Sequence, residues 1–360
     1  MRPRTGPTRR GLGALAAGAA TLAGTHDAAA QGGSPYYSGP ISDHFDGTRF
    51  FNPSGAGAPK TFADQLRWRF GPAGVPWPDA YPSPYGSARP SRAEPGALRA
   101  TLVGHATWLI QQGGLAILTD PVWSERASPF GFVGPRRANP PGIAFDDLPR
   151  IDAVLISHNH YDHLDLATLS RLWARDRPRI VAPLGNDAII RAHDPAIAVT
   201  ALDWGGRVPL DAGGTVTATA VPVEHWSARW LDDRNGALWT GYVLAGGGRR
   251  VFFAGDTGFG EGRPFRDVPA RHGALDLALL PIGAYEPRWF MAGQHMNPDD
   301  AVAAFGLLGA RQALGYHWGT FDLTDEAVDA PPRDLAAVLS RRGVPQSRFL
   351  AARPGQVWAA

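Results

Sequence analysis

The sequence predicts an α/β protein built in layers, with short buried strands separated by helices. From residue 98 onward, short apolar runs recur and are closed by Gly, Asp, Pro or His, which is typical of strands buried in a core. Stretches of helical length lie between several of these runs. With 360 residues, of which 44% are apolar, the chain can bury a sizeable core.

The predicted elements follow one another in an order that fits such layers. The predicted strands cover residues 115–118, 151–156, 216–223, 251–254 and 277–280. The predicted helices cover residues 166–174, 186–192, 298–308 and 333–339. In layered α/β proteins the loops that follow strands gather at one edge, where sites are assembled. We therefore expect the polar residues directly after these strands to converge.

The chain divides into three predicted segments. Residues 1–30 hold paired arginines, a weakly apolar Ala/Gly/Leu run and small residues near Ala30, the pattern of a twin-arginine-type signal peptide cleaved near Ala30. This pattern predicts a periplasmic or otherwise exported protein; a general secretory signal is the alternative. Residues 31–97 are rich in Pro, Gly and aromatic residues and are predicted to wrap around the main domain, residues 98–360.

The composition excludes several functions. Residues 1–30 hold four arginines against one aspartate, a net of +3, so the rest of the chain, at −1 of the total +2, offers no basic field for nucleic acid. Cysteine is absent, which excludes disulfides, thiolate nucleophiles and cysteine-ligated zinc. Any metal ion must therefore be held by His, Asp and Glu.

The densest group of metal-capable residues follows the predicted strand 151–156. In an extended chain His158 and His160 point to the same side, because side chains alternate, so both imidazoles can reach one cation. Asp162 and His163 are adjacent and must diverge, which suits a second cation about 3.5 to 4 Å from the first. A solvated polar loop is the alternative interpretation.

Two metal sites need further ligands, and three candidates stand at or just after apolar runs. They are His225, Asp256 and His317. The carboxylate of Asp256 could bridge two cations, because each of its oxygens can bind a different ion. Capping of a turn is its alternative role.

The pattern His-x-His-x-Asp-His, followed at a distance by His, Asp and His, resembles the metallo-β-lactamase superfamily. That resemblance implies an αβ/βα four-layer sandwich with a two-metal site along one edge. Residues 98–350 are also similar to the family of N-acylphosphatidylethanolamine-hydrolysing phospholipase D, above all in the segment 281–291. Carried onto this chain, the resemblance implies two zinc ions with these ligands: His158, His160 and His225 for one, Asp162, His163 and His317 for the other, and Asp256 between them.

The resemblance implies a zinc-dependent phosphodiesterase of phospholipase D type. A hydroxide held between two zinc ions would attack N-acylphosphatidylethanolamine or a related lipid phosphodiester. Asp162 is expected to orient that hydroxide. Asp120 and His105 are expected to fix imidazole tautomers, with turn capping and core packing as their alternatives. The resemblance also makes Gln294 and His295 substrate contacts.

Basic and aromatic residues near these positions have open roles. Arg229, four positions beyond a candidate ligand, could bind a phosphate or simply be solvated. Trp226, Trp289 and Trp318 flank ligand or loop positions and could form an apolar wall for acyl chains. Packing in the core is the alternative for each tryptophan.

Other functions stay open on the same residues. A lactonase or β-lactamase-like hydrolase would use the same hydroxide on a carbonyl, and a non-catalytic exported protein could bind metal or lipid. Iron or manganese would fit the donor set almost as well as zinc. Asn186 and Asp187 stand where the mammalian member of the family is apolar, so at most a peripheral membrane contact is expected. A homodimer is open, with the aromatic N-terminal segment as its candidate contact.

Overall fold

The computed structural model describes residues 33–56 and 60–360 and shows two sheets packed face to face between two layers of helices. The signal peptide predicted in residues 1–30 lies outside the described residues. Each sheet has seven strands. The predicted αβ/βα four-layer sandwich is confirmed.

The strands of both sheets run through the described chain from residue 98 to residue 359. They are β1 (Leu98–Gly104), β2 (Thr107–Gln112), β3 (Leu115–Thr119), β4 (Ala153–Leu155), β5 (Arg179–Pro183), β6 (Val199–Leu202), β7 (Arg207–Pro209), β8 (Val216–Val221), β9 (Gly241–Gly246), β10 (Arg249–Phe253), β11 (Leu277–Pro281), β12 (Gln312–Tyr316), β13 (Phe349–Ala351) and β14 (Val357–Ala359). The first sheet has the order β14-β1-β2-β3-β4-β5-β6, and the second has the order β13-β12-β11-β10-β9-β8-β7. In both sheets, parallel strands adjoin antiparallel hairpins.

Helices cover the outer faces of the sandwich. They are α1 (Phe62–Phe70), α2 (Leu166–Asp176), α3 (Asn186–His193), α4 (Arg263–His272), α5 (Arg288–Met291), α6 (Pro298–Leu308) and α7 (Ala330–Arg341), with short 3-10 turns at Phe145–Asp147, Gly260–Gly262 and Gln346–Arg348. Side-chain caps begin two of the helices. Asp165 accepts a hydrogen bond from the amide of Thr168 at the start of α2, and Asn297 and Asp300 form a capping box at the start of α6. None of these helices is both long and apolar enough to span a bilayer.

Three apolar layers hold the sandwich together. Alternation along β10 shows the arrangement, because Phe253 points between the sheets whereas Phe252 points outward against α4, α6 and α7. A separate cluster joins the first sheet to α2 and α3. Each fully buried side chain of this size contributes about 1.5 to 3 kcal/mol.

Three helices of the structure, α1, α4 and the short α5, were not predicted from the sequence. No helix was predicted over α4, which contains Pro264 and Pro269; Pro264 lies near the helix start, where no amide donor is needed. Helix α1 lies inside the segment 31–97, for which no helix was predicted. Elsewhere in that segment, Phe45 and Phe50 are buried in the core of the second sheet.

Candidate metal centre

The ends of strands from both sheets supply the candidate ligands. The loop after β4 carries His158 and His163, whereas His225, Asp256 and His317 follow β8, β10 and β12 of the second sheet. The predicted convergence at one edge therefore occurs. Three residues at this edge have left-handed backbone conformations that are uncommon outside glycine and that cluster at functional sites: His105 (φ 55°), Asp120 (φ 37°) and His317 (φ 65°).

Three imidazoles form the first group of donors. The Nδ1 atom of His160 lies 2.9 Å from Nε2 of His158 and 3.4 Å from Nε2 of His225. Side-chain alternation brings the first two together, as expected. Burial lowers the pKa of His160 to about 3 and holds that of His158 and His225 well below the ordinary value, so all three rings are neutral with lone pairs available.

Three atoms, from Asp162, His163 and His317, form the second group, at distances expected for ligands of one tetrahedral ion, and Asp256 lies slightly closer to both imidazoles. The Nε2 atoms of His163 and His317 are 3.3 Å apart, and Asp162 Oδ2 lies 3.5 Å from each. Asp256 Oδ2 lies 3.2 Å from His163 Nε2 and 3.0 Å from His317 Nε2. Ligand bonds of about 2.0 to 2.2 Å place tetrahedral ligand atoms about 3.3 to 3.6 Å apart.

Asp256 stands between the two groups. Its Oδ2 atom is the one that faces both groups. It lies close to His163 and His317 and is 3.9 Å from His225 Nε2. Its other oxygen, Oδ1, is buried with no hydrogen-bond partner, a costly state for a carboxylate that a cation would relieve. The preceding Gly255 has a φ of 60°, and a Cβ there would lie 2.7 Å from the side chain of Ser157. Glycine therefore permits the close approach of the two loops.

Carboxylates raise the pKa values of the two imidazoles in the second group. Burial opposes charge on His317, but the carboxylate of Asp256 outweighs it and raises the pKa of His317 to about 9. The pKa of His163 is raised well above its ordinary value for the same reasons. Burial likewise opposes charge on Asp162 and Asp256, but nearby His163 and His317 hold their pKa values well below the usual range. Metal ions would displace these protons.

Buried partners orient the candidate ligands. Asp120 Oδ2 lies 2.7 Å from Nδ1 of His163, and Asp120 also accepts from the amide and hydroxyl of Ser157 at 2.6 Å each. The backbone carbonyl of Gln294 accepts from His225 Nδ1 at 3.0 Å. Sequence reasoning missed Ser157 and this carbonyl, since neither residue type signals metal binding.

His105 differs from its predicted role. Its Nε2 atom lies 2.8 Å from Asp162 Oδ2, so it contacts a carboxylate and not another imidazole nitrogen. Burial lowers the pKa of His105 to about 3. The neutral ring therefore donates its single proton to Asp162 and leaves the charge on that carboxylate.

Gln294 and His295 lie beside the centre, just after α5. Both side chains are buried, and His295 Nδ1 is 3.9 Å from Asp256 Oδ2 with no hydrogen-bond partner of its own. Burial lowers the pKa of His295 to about 4, so the ring is neutral. The Gln294 amide nitrogen contacts Met291 Sδ at 3.4 Å.

Arg229 and the three tryptophans occupy distinct places. Arg229 Nη1 donates hydrogen bonds to the carbonyls of Asn159 and Leu164 at 2.8 and 2.9 Å and so stabilises the loop after β4, which carries candidate metal ligands. Trp226 packs 4.3 Å from the ring of His160. The remaining two differ in burial: Trp318 is buried in the core of the second sheet and Trp289 is partly exposed.

Comparison with known proteins defines the class. Residues 116–318 match the family described as "Beta-lactamase superfamily domain". The structure is also similar to that of isothiocyanate hydrolase from Delia radicum gut bacteria, with a TM-score of 0.57, 21% identity and coverage of 73% of this chain and 100% of that one, which shows the shared fold. The chain is thus a metal-dependent hydrolase of the metallo-β-lactamase superfamily.

Within that class, two relatives are similar over most of the domain. N-acyl-phosphatidylethanolamine-hydrolyzing phospholipase D 1 of Caenorhabditis elegans is 39% identical over 272 residues, 73% of this chain and 76% of that protein. The mitochondrial protein of the same activity name from Saccharomyces cerevisiae is 35% identical over 238 residues, 64% of this chain and 50% of that protein. The chain belongs to the N-acylphosphatidylethanolamine-hydrolysing phospholipase D family.

Proposed function

We propose that this chain is a dinuclear zinc-dependent phosphodiesterase that hydrolyses N-acylphosphatidylethanolamine or a related lipid phosphodiester. The observation that carries the proposal is the pair of adjacent donor groups, three neutral imidazoles on one side and Asp162, His163 and His317 on the other, with Asp256 between them. The names of the two curated relatives support the substrate class.

The donor set fits two zinc ions, because imidazole and carboxylate at these separations are zinc ligands, and iron or manganese accepts the same set. When bound, such ions would provide hydroxide at neutral pH and neutralise charge on the phosphate. The chain's own residues then orient the reactants. Asp162, held by His105, accepts a hydrogen bond from the attacking oxygen. The buried neutral His295 donates a hydrogen bond to a phosphate oxygen. Water and the diester give phosphatidate and an N-acyl amino alcohol.

A four-substrate assay tests the proposal. The metal-loaded protein without residues 1–30 is offered bis(p-nitrophenyl) phosphate, N-acylphosphatidylethanolamine, a lactone and nitrocefin. Turnover of the two phosphodiesters supports the proposal, whereas turnover of only the lactone or nitrocefin points to a hydrolase of cyclic esters or amides. Two bound metal ions with no turnover would mean a non-catalytic binding protein.

We also propose that the protein is exported. The support is the paired arginines and the small residues near Ala30, a pattern typical of twin-arginine signals. Fractionation of cells that express the whole chain, with Arg9→Lys and Arg10→Lys as the comparison, tests this. Retention of the double variant with the cytoplasm supports twin-arginine export, and equal export of both forms contradicts it.

A further inference from the structure

Residues 44–52 form an arm that packs onto the second sheet beside the metal centre. Phe45 and Phe50 are each 1% exposed and belong to the apolar core of that sheet. Their ring centroids lie 4.7 Å apart, and the amide of Phe50 donates to the carbonyl of Asn235 at 2.9 Å. These contacts hold the arm in one place and leave its last residue, Asn52, next to a candidate ligand.

The side-chain amide of Asn52 is buried and has partners at both of its ends. Nδ2 donates to the carbonyl of His225 at 2.8 Å and to that of Ala56 at 2.6 Å, and Oδ1 accepts from Trp239 Nε1 at 3.0 Å. The partners fix which atom is the nitrogen, because a carbonyl only accepts and an indole only donates. A leucine would have nearly the same shape but would make none of these bonds.

His225 depends on contacts of this kind because it lies beyond the end of β8, outside the strand. Two hydrogen bonds of its own hold it. The ring Nδ1 donates to the carbonyl of Gln294 at 3.0 Å, and the main-chain carbonyl accepts from Asn52. The first bond selects Nε2 as the nitrogen that faces a cation, and the second fixes the main chain from which the ring projects.

We propose that Asn52 is a positioning residue of the metal centre, which holds the main chain of His225 so that Nε2 of its ring meets the same cation as His158 and His160. This inference deepens the proposed function and rests on it only for the two metal ions. It makes the arm a part of the metal-binding unit, although the arm lies outside residues 98–360.

The effect of Asn52 should fall on one ion. The imidazoles of the second donor group are oriented by other residues: Asp120 holds the ring of His163 at 2.7 Å, and the amide of His317 donates to the carbonyl of His105 at 3.1 Å. Loss of Asn52 should therefore weaken the ion bound through His225 and spare the other.

Titration of cobalt(II) into the metal-free full chain, followed by visible absorption, tests the inference without any turnover. We expect the parent to bind two ions, and one of them to bind about 10- to 100-fold more weakly in Asn52→Leu, the usual range for partners of metal-binding histidines. Asn52→Ala should show the same selective loss and decides the question if the leucine variant does not fold.

Gln112→Met is the matched control. Gln112 is also buried, and its Nε2 donates to the carbonyls of Gly246 and Arg249 at 2.9 and 3.0 Å. These carbonyls belong to the hairpin between β9 and β10, at the opposite end of β10 from Asp256. The control should lower the melting temperature and leave the affinity for both ions unchanged.

A double-mutant cycle with His225→Ala identifies the ion. If Asn52 acts through the ring of His225, Asn52→Leu should cause no further loss of affinity in the His225→Ala background. Additive losses would overturn the proposal, as would unchanged affinity for both ions in the Asn52 variants, or an equal loss in Gln112→Met. A parent that binds fewer than two ions would overturn the proposed function as well. Selective loss of one ion without turnover of any phosphodiester would support the role of Asn52 and contradict the proposed function alone.

Discussion

Asp120 Oδ2 lies 2.7 Å from Nδ1 of His163, and both side chains are fully buried. The carboxylate thereby directs the opposite nitrogen of the ring toward His317 and Asp256. Asp120→Asn removes that charge, so we expect metal affinity to fall about 10- to 100-fold, as is usual for partners of metal-binding histidines. Competition with a chelator measures the change.

The matched control for this variant is Asp276→Asn. Asp276 also accepts a backbone bond, from Arg250 at the start of β10, but away from the ligand loops. Unchanged metal affinity in Asp120→Asn would show that the contact does not orient His163.

His160→Ala and Asp256→Ala should lose metal more than fold. His160 Nε2 has no hydrogen-bond partner, and the sandwich cores contain neither residue. We expect metal content below two ions per chain and activity abolished, with melting temperatures close to that of the metal-free parent. Elemental analysis and thermal melts measure both, with the exposed His193→Ala as control. A collapsed melt in both variants would contradict the expectation.

Arg229→Gln should destabilise the loop after β4 and lower the stability of the fold. Burial lowers the pKa of Arg229, yet the side chain keeps its charge and supplies two hydrogen bonds to loop carbonyls. Leaving those carbonyls unsatisfied costs about 1 to 3 kcal/mol each. We expect a lower melting temperature and weaker metal binding than in Arg271→Gln, whose partner is a surface aspartate one turn away.

A purely substrate-binding role for Arg229 has another signature. It would raise the KM for bis(p-nitrophenyl) phosphate while metal affinity and melting temperature stay at the parent values. That pattern would support the role of Arg229 as a phosphate contact, one of the two roles considered from the sequence.

His44 should make stability depend on pH. Its Nδ1 lies 2.6 Å from Asp43 and its Nε2 lies 2.7 Å from Asp203, with the ring stacked on Trp204. Burial opposes the charged ring, but the hydrogen bonds to Asp203 and Asp43 outweigh it and raise the pKa of His44. Because the folded pKa lies above the unfolded value, this stabilisation is fully present below about pH 6.5 and is lost as pH rises through the folded pKa.

Urea unfolding of His44→Gln at pH 5.5 and pH 8.5 measures the effect. We expect the variant to be less stable than the parent by about 1 kcal/mol at the lower pH, since Asp43 is largely exposed and Asp203 about half-exposed, and by less at the higher pH. His193→Gln, an exposed histidine at the end of α3, should show no such difference. An equal loss at both pH values would contradict a role for the charge.

The candidate ligands were predictable because their placement follows from local geometry. Alternation in an extended chain pairs His158 with His160, and strand ends meet at one edge, which brings in Asp256. The contact between His105 and Asp162 was not predictable, since it depends on a left-handed residue in the turn between β1 and β2. Spacing alone does not encode such a turn.

The helices that escaped prediction did so for different physical reasons. In α4 the two prolines break the usual pattern, and the contacts of Phe265 with the core of the second sheet override that local preference. In α1 the capping box and the four-residue spacing were present in the sequence. They do not indicate a core-facing helix, because Phe62, Leu66 and Phe70 face solvent.

Both donor groups combine the loop after β4 in the first sheet with residues from the second sheet. Filling the centre would therefore cross-link the amino-terminal and carboxy-terminal halves of the domain, and an ion at 1,000 times its dissociation constant adds about 4 kcal/mol of cohesion. Chelation would remove that cross-link and leave the shared apolar layer with a few hydrogen bonds, such as those of Arg229, so amide hydrogens along that seam would exchange earlier than those beneath the outer helices.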